Sequence, residues 1–308
     1  MDGDRLHEEG VALLAEGRRR IGTRSLEQAI ETFERALAAG RSSPLDTART
    51  RSELGQALGV LGQRKGDEDL LERAADTLRS ALEALDGEGQ DDAARARAWN
   101  ALATVQLTLG RRRQDKTLLK QASESYKQVL GIWTRERDPQ AWAAAMDSLG
   151  IALRLLGEQR KGPRTLEQSV AALRSALAER TRERDAQAWA ETQNNLGAAL
   201  HRLGERTRDA DALLAAIEAY RKALQEWTRA RAPMTWAMTF ANLCAARKAL
   251  AEVTGDVQQV RIALSGFREV AAVFRDASHP QYYELLTEQI ALARKLEAAL
   301  SSEVARTG

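Results

Sequence analysis

The chain has 308 residues, 44% hydrophobic and 29% charged, which is enough to bury a sizeable core and too balanced for a disordered or collagen-like polypeptide. With 21 Gly, only 5 Pro and abundant Ala, Leu, Glu, Arg and Gln, helix is favoured nearly throughout and an all-β fold is excluded. The 46 basic and 44 acidic residues leave a formal charge of +2, so no global field draws the chain to nucleic acid or an anionic membrane. A single cysteine, Cys244, excludes an internal disulfide and a multi-cysteine metal site. No apolar run reaches the roughly 18 residues needed to cross a bilayer. The opening MDGDRLHEEG lacks the layout of a signal peptide, so the expected compartment is the cytoplasm.

Gly10 and Gly17 open a spacing that returns along the whole chain. Full copies read SELGQALGVLG, NALATVQLTLG, DSLGIALRLLG, NNLGAALHRLG and ANLCAARKALA, whose first leucines are Leu54, Leu102, Leu149, Leu196 and Leu243. Eight residues after each leucine stands Gly62, Gly110, Gly157, Gly204 or Ala251. Alternating with these is a second segment, LEQAIETFERAL in its first copy, marked by Phe33, Leu78, Tyr126, Leu173, Tyr220 and Phe267. Both segments place apolar residues at three- and four-residue steps, the period of an amphipathic helix. Each unit of about 47 residues is therefore two helices. Pro44, Pro139, Pro233 and Pro280 suit the first turn of a first helix, and closing glycines suit its end. Ser25-Leu-Glu-Gln28 and Thr165-Leu-Glu-Gln168 have the spacing of a capping box and predict second-helix starts.

The pattern Leu196-Gly197, Leu200, Gly204, Ala216, Tyr220 and Ala223-Leu224 resembles the tetratricopeptide repeat family, in a variant longer than its usual repeat of about 34 residues. Asn194 to Gly197 is similar to the longer repeats of kinesin light chains and their bacterial relatives. The resemblance implies an all-α, right-handed superhelical solenoid of tandem helical hairpins, about thirteen helices in all, forming a single unit over 1–308. Six hairpins are expected over about 4–277, followed by a capping helix over about 280–300 whose charged residues suit solvent.

Trp142, Trp189, Trp236 and Tyr283 recur every 47 residues on the core side of the first helices, which predicts packing, with a ligand-facing aromatic ladder as the alternative. Basic clusters follow the first helices at Arg18 to Arg20, Gln63 to Lys65, Arg111 to Arg113, Arg160-Lys161 and Arg206 to Arg208. They predict compensation of helix dipoles, or an edge for an acidic partner.

The resemblance further implies that first helices face a concave groove, and that an Asn just before the Leu-Gly pair hydrogen-bonds the backbone of an extended peptide. Asn195 and Asn242 occupy that place. Helical offsets bring Glu191, Asn194, His201 and Arg202 to the same broad side, and Arg154 and Lys248 lie on equivalent turns of adjacent units. Together they predict a polar groove of net positive character, with hydrogen bonding between helices as the alternative use of the amides. The expected function is a non-enzymatic scaffold holding a protein or peptide, acidic where it meets the cations. No cofactor, metal, nucleic acid or membrane partner is expected. A self-assembling homo-oligomer and a small-molecule-sensing solenoid stay open as alternatives. His7, His201 and His279 make no pair at metal-ligand spacing, and no nucleophile motif surrounds Cys244 or a serine.

Overall fold

A computed structural model describes residues 2–87, 91–276 and 280–307, so His279 lies outside the described residues. Among them are thirteen helices and no strand. The helices group into two compact units, 1–156 and 157–308.

The first unit holds α1 (Asp2–Arg19), α2 (Arg24–Ala38), α3 (Pro44–Lys65), α4 (Glu68–Gly87), α5 (Asp92–Arg113), α6 (Lys116–Ile132) and most of α7 (Pro139–Glu158). The second holds α8 (Arg164–Leu177), α9 (Ala186–Thr207), α10 (Ala210–Glu226), α11 (Pro233–Thr254), α12 (Val257–Asp276) and α13 (Pro280–Thr307). Consecutive helices pack together from α1 to α6 in one unit and from α8 to α13 in the other, and successive first helices also touch, α1 on α3 and α3 on α5 in the first, α9 on α11 and α11 on α13 in the second. That is the arrangement in which no hairpin buries its apolar face alone.

The repeated marks are the core. Leu54, Leu102, Leu149, Leu196 and Leu243 are all buried, and Phe33, Leu78, Tyr126, Leu173, Tyr220 and Phe267 are at most 1% exposed. The glycines serve close approach. A Cβ on Gly55 would lie 2.5 Å from Leu78 of the partner helix, and one on Gly204 would lie 2.6 Å from Leu213. In these hairpins the first helix thus lets a large side chain of its partner press against bare backbone, whereas α11 has no glycine and it is Gly266 of α12 that makes room for Cys244.

Gly62, Gly110 and Gly204 do not end their helices, which run a further turn to Lys65, Arg113 and Thr207. The stop comes at Gly66, Gln114, Arg208 and Gly255, left-handed residues with φ of 71°, 51°, 53° and 74°. Their N–H groups return to the carbonyls of Gly62, Gly110, Gly204 and Ala251, satisfying acceptors that the helix end leaves free.

The predicted capping boxes do not form. The residues before α2 and α8, Thr23 and Pro163, already have helical dihedrals, so Ser25 and Thr165 fall inside the first turn, where their hydroxyls meet no free N–H. Thr165 instead accepts a hydrogen bond from Arg160 Nη1 at 3.2 Å. Apart from Ser43, which caps α3, the working caps are aspartates in repeat register. Asp91, Asp138 and Asp185 open first helices and Asp67, Asp115, Asp209 and Asp256 open second helices, each accepting from a first-turn N–H at 2.7–3.1 Å.

Arginines join one repeat to its neighbour. Arg64 donates to the carbonyls of Arg18 and Gly22 at the end of α1, and Arg112 does the same to Gln63 at the end of α3. In the second unit Arg206 reaches the carbonyls of Gly157, Glu158, Arg160 and Gly162, and Arg208 that of Glu252. The basic edge therefore does satisfy helix dipoles, but across repeats and through explicit hydrogen bonds. Trp142, Trp189 and Trp236 are half-buried, and each carries a cation on its ring: Arg135, Arg182 and Arg229 stand 5.7–5.8 Å from their centroids. On α13, Leu285 and Leu292 are exposed alongside the expected charged residues.

Candidate functional site

In the first unit, α1, α3 and α5 bound a groove of about 440 Å³. Its floor is apolar and its rim polar, and the sequence explains both. Position 59 is glycine, with Val105 Cγ2 only 2.9 Å from where a Cβ would stand, so α3 and α5 close on each other beneath Val60 and Ala101. The same register in the later first helices holds Leu107, Arg154, His201 and Lys248. A side chain of that size at 59 would fill the groove.

The rim carries two guanidinium groups and several amides. Arg18 Nη2 donates to Gln56 Oε1 at 2.6 Å, and Gln63 Nε2 donates to Thr108 Oγ1 at 3.1 Å, which ties α3 to α5. Arg97 Nε stands 3.9 Å from Glu53 Oε1, a loose pair. Burial pushes the Glu53 carboxyl above its ordinary range, while the positive charges of Arg97 and Arg18 pull the other way. The half-buried Asn100 amide lines the same wall and makes no hydrogen bond among the described residues. Two cations facing one partly compensated carboxylate leave the groove suited to an anionic group, and the free amide of Asn100 can both donate to and accept from a peptide backbone.

The residues singled out from the sequence lie elsewhere. Arg154 is half-buried on α7 in the first unit. In the second unit, Asn194 Oδ1 accepts from Thr239 Oγ1 at 3.4 Å, linking α9 to α11 as the interhelical alternative describes. Asn195 is half-buried, Asn242 exposed, and the exposed Glu191 accepts from Gln187. His201 is buried with Nε2 3.4 Å from Glu205 Oε1, Arg202 pairs with Glu205 at 2.9 Å and Glu158 at 3.4 Å, and Lys248 pairs with Glu252 at 2.8 Å. The expected net positive character is absent from this cluster. Glu158, Glu205 and Glu252 recur one turn beyond the cations and neutralise them, a row of acids set every 47 residues that the sequence reading passed over.

Glu205 reports this environment. Partial burial raises its pKa, but hydrogen bonds and charges from His201 and Arg202 outweigh it and bring the carboxyl down to about 2. A depressed acid stabilises the fold fully above its unfolded pKa of about 4.5 and progressively less as pH falls toward 2. The stability difference between the wild type and Glu205→Gln, measured by denaturant titration, should shrink as pH falls below about 4. Glu205 is partly exposed, so added salt should reduce that difference.

Among the described residues no three His, Cys, Asp or Glu side chains form a group able to hold a metal ion, and no helix is long and apolar enough to cross a membrane.

Residues 189–226 match the tetratricopeptide repeat family, and they span most of α9 and all of α10. The match covers this one hairpin, whose marker residues recur in the other hairpins at the spacing described above. No curated protein matches it in sequence. Among solved structures it is similar to BtubC (BKLC) from P. vanneervenii, at 20% identity over 92% of each chain with a TM-score of 0.47. It is also similar to Rap protein complexed with Competence and Sporulation Factor, at 13% identity over 95% of this chain and 76% of that chain, TM-score 0.41. A third is the TPR2AB domain of yeast Sti1 in complex with pHSP90, at 18% identity over 92% of this chain and 98% of that chain, TM-score 0.33.

Proposed function

We propose that the chain is a non-enzymatic scaffold that holds an extended segment of a partner protein against its first helices, with the groove on α1, α3 and α5 as the main site. The observation that carries this reading is the groove itself. It joins an apolar floor over Gly59 to Arg18, Arg97 and the unbonded Asn100, which is the mixture that fixes a peptide by one apolar anchor, its backbone and an acidic group. The Asn195 and Asn242 row of the second unit is proposed as a further backbone contact for the same kind of partner. The segment is expected to be acidic opposite Arg18 and Arg97.

Peptides selected from a random display library against the full chain provide the test. Selected sequences should be enriched in Asp or Glu beside an apolar residue, and Arg97→Glu should weaken them by about tenfold or more, as expected for loss of a charge-assisted contact with introduction of repulsion. Asn100→Ala should weaken them less and without sequence preference. The double variant Asn195→Ala/Asn242→Ala, tested on the same peptides, reports whether the second row takes part. Equal binding to the wild type and to Arg97→Glu would remove the groove from this role.

A further inference from the structure

A different cavity lies in the second unit. It occupies about 340 Å³ between α10, α11 and α12, and its walls include Phe240, Leu243 and Ile262, with Arg221 and Gln225 at the mouth and Arg247 at the base. Arg247 is only 8% exposed, and its Nε is buried without a hydrogen-bond partner. Its Nη1 donates to Gln259 Oε1 at 2.6 Å, a neutral acceptor. Among the described residues neither Arg247 nor Arg221 has a carboxylate within ion-pair distance. Glu269 of α12 acts electrostatically on Cys244 and pairs with neither arginine. Cys244, in the same wall, has its thiol pushed up to about 12 by burial, so it adds no negative charge.

The repeat makes this arginine conspicuous. The equivalent positions in α3, α5, α7 and α9 are Leu58, Gln106, Leu153 and Leu200, all buried. Gln106 borders the corresponding cavity of the first unit and is satisfied by Ser125 Oγ at 2.8 Å. A leucine therefore meets the packing needs of this site three times, and a neutral amide with a partner meets them once. Only α11 buries a full charge there, since the matching Arg294 of α13 is exposed, and it does so next to a second cation that lowers its pKa further after the cost of burial. An uncompensated buried cation is costly to a fold that has a leucine solution to the same geometry. Arg221 is one of a row of basic residues on the second helices, Arg79, Lys127, Arg174, Arg221 and Arg268. It is the member of that row whose cavity also contains a buried guanidinium.

We infer that this cavity is a binding site for a carboxylate attached to an apolar body, the carboxylate bridging Arg247 and Arg221 and the body lying against Phe240, Leu243 and Ile262. A monoanion suits it better than a phosphate dianion, because mostly apolar walls cannot replace the hydration of a second charge. The carboxylate can be that of a free acid or that of a polypeptide C-terminus, and the experiment separates the two.

The full chain is titrated with octanoate, with an octapeptide ending in Leu with a free carboxylate, and with the same peptide amidated. Arg247→Leu, which restores the residue of the other repeats, and Arg221→Gln, at an exposed position, are the variants. Octanoate, the free-carboxylate peptide or both should bind the wild type and raise its thermal midpoint. The effective ligand should lose about tenfold or more in affinity on Arg247→Leu and a smaller factor on Arg221→Gln. The unliganded Arg247→Leu protein should melt higher than the wild type. Binding of octanoate alone identifies a free acid. Binding of the free-carboxylate peptide alone identifies a chain end. Failure of both, equal binding to Arg247→Leu, or equal binding of the amidated peptide would each overturn the proposal.

Discussion

Replacing Leu149 by Ala is expected to lower the unfolding free energy by about 2–5 kcal/mol, read from urea or guanidinium titration. Leu149 is 7% exposed and lies in a cluster with Ala103, Ala122, Tyr126, Ala152 and Leu153, contributed by α5, α6 and α7. Its neighbours are small or already fixed by hairpin packing, so the hole left by three lost carbon atoms has little that can collapse into it. In a repeat array such a defect interrupts one interface of a chain of interfaces, which adds a change in cooperativity to the loss of stability. A loss under about 0.5 kcal/mol would mean that the leucine register is not the core register.

The second large effect runs in the opposite steric direction. Gly204→Val places a branched side chain where a single Cβ already falls 2.6 Å from Leu213 Cγ and 3.1 Å from the Asp209 carbonyl oxygen. The leucine cannot retreat without leaving the core, and the carbonyl belongs to the residue that caps α10. A cost of about 1–3 kcal/mol is expected, despite the better helix propensity of valine. Gly131→Ala is the contrasting substitution, because nothing lies within 4 Å of its Cβ position. It should be neutral or stabilise by up to about 1 kcal/mol. Similar effects at Gly204 and Gly131 would show that the recurring glycines mark flexibility and not contact.

The difference between those two glycines indicates what a sequence can reveal here. Gly204 falls in a row of glycines eight residues after the leucines, and periodicity alone identifies it as structural. Its partner Leu213, nine residues on, is equally regular. The first-helix prolines likewise open α3, α7, α11 and α13 because a fixed φ and a missing N–H cost nothing there. Helix ends were harder to read. A Ser or Thr three residues before Gln suggested caps at Ser25 and Thr165, whereas the chain uses aspartates, whose own spacing of about one repeat carried the signal.

The candidate site was legible only in part. The first helices as the polar face follow from the pattern, but which repeat opens a groove depends on the absence of a side chain at Gly59, read against Leu107, Arg154, His201 and Lys248. The cations at Arg202 and Lys248 looked free because their partners, Glu205 and Glu252, lie one helical turn further on, and such pairs are visible only when the charge rows are aligned together. Arg97 and Asn100 carry no motif of their own. Arg247 stands out once the repeats are superimposed on their leucines, since it replaces a core residue.

Amide hydrogen exchange with a library-selected peptide tests the central claim most directly. With the peptide bound to the full chain, protection should rise in α3 and α5, strongest over residues 55–63 and 97–105, and should be lost with Arg97→Glu. Protection confined to α4 and α6, the second helices of the same hairpins, would contradict the claim that first helices form the partner-binding face.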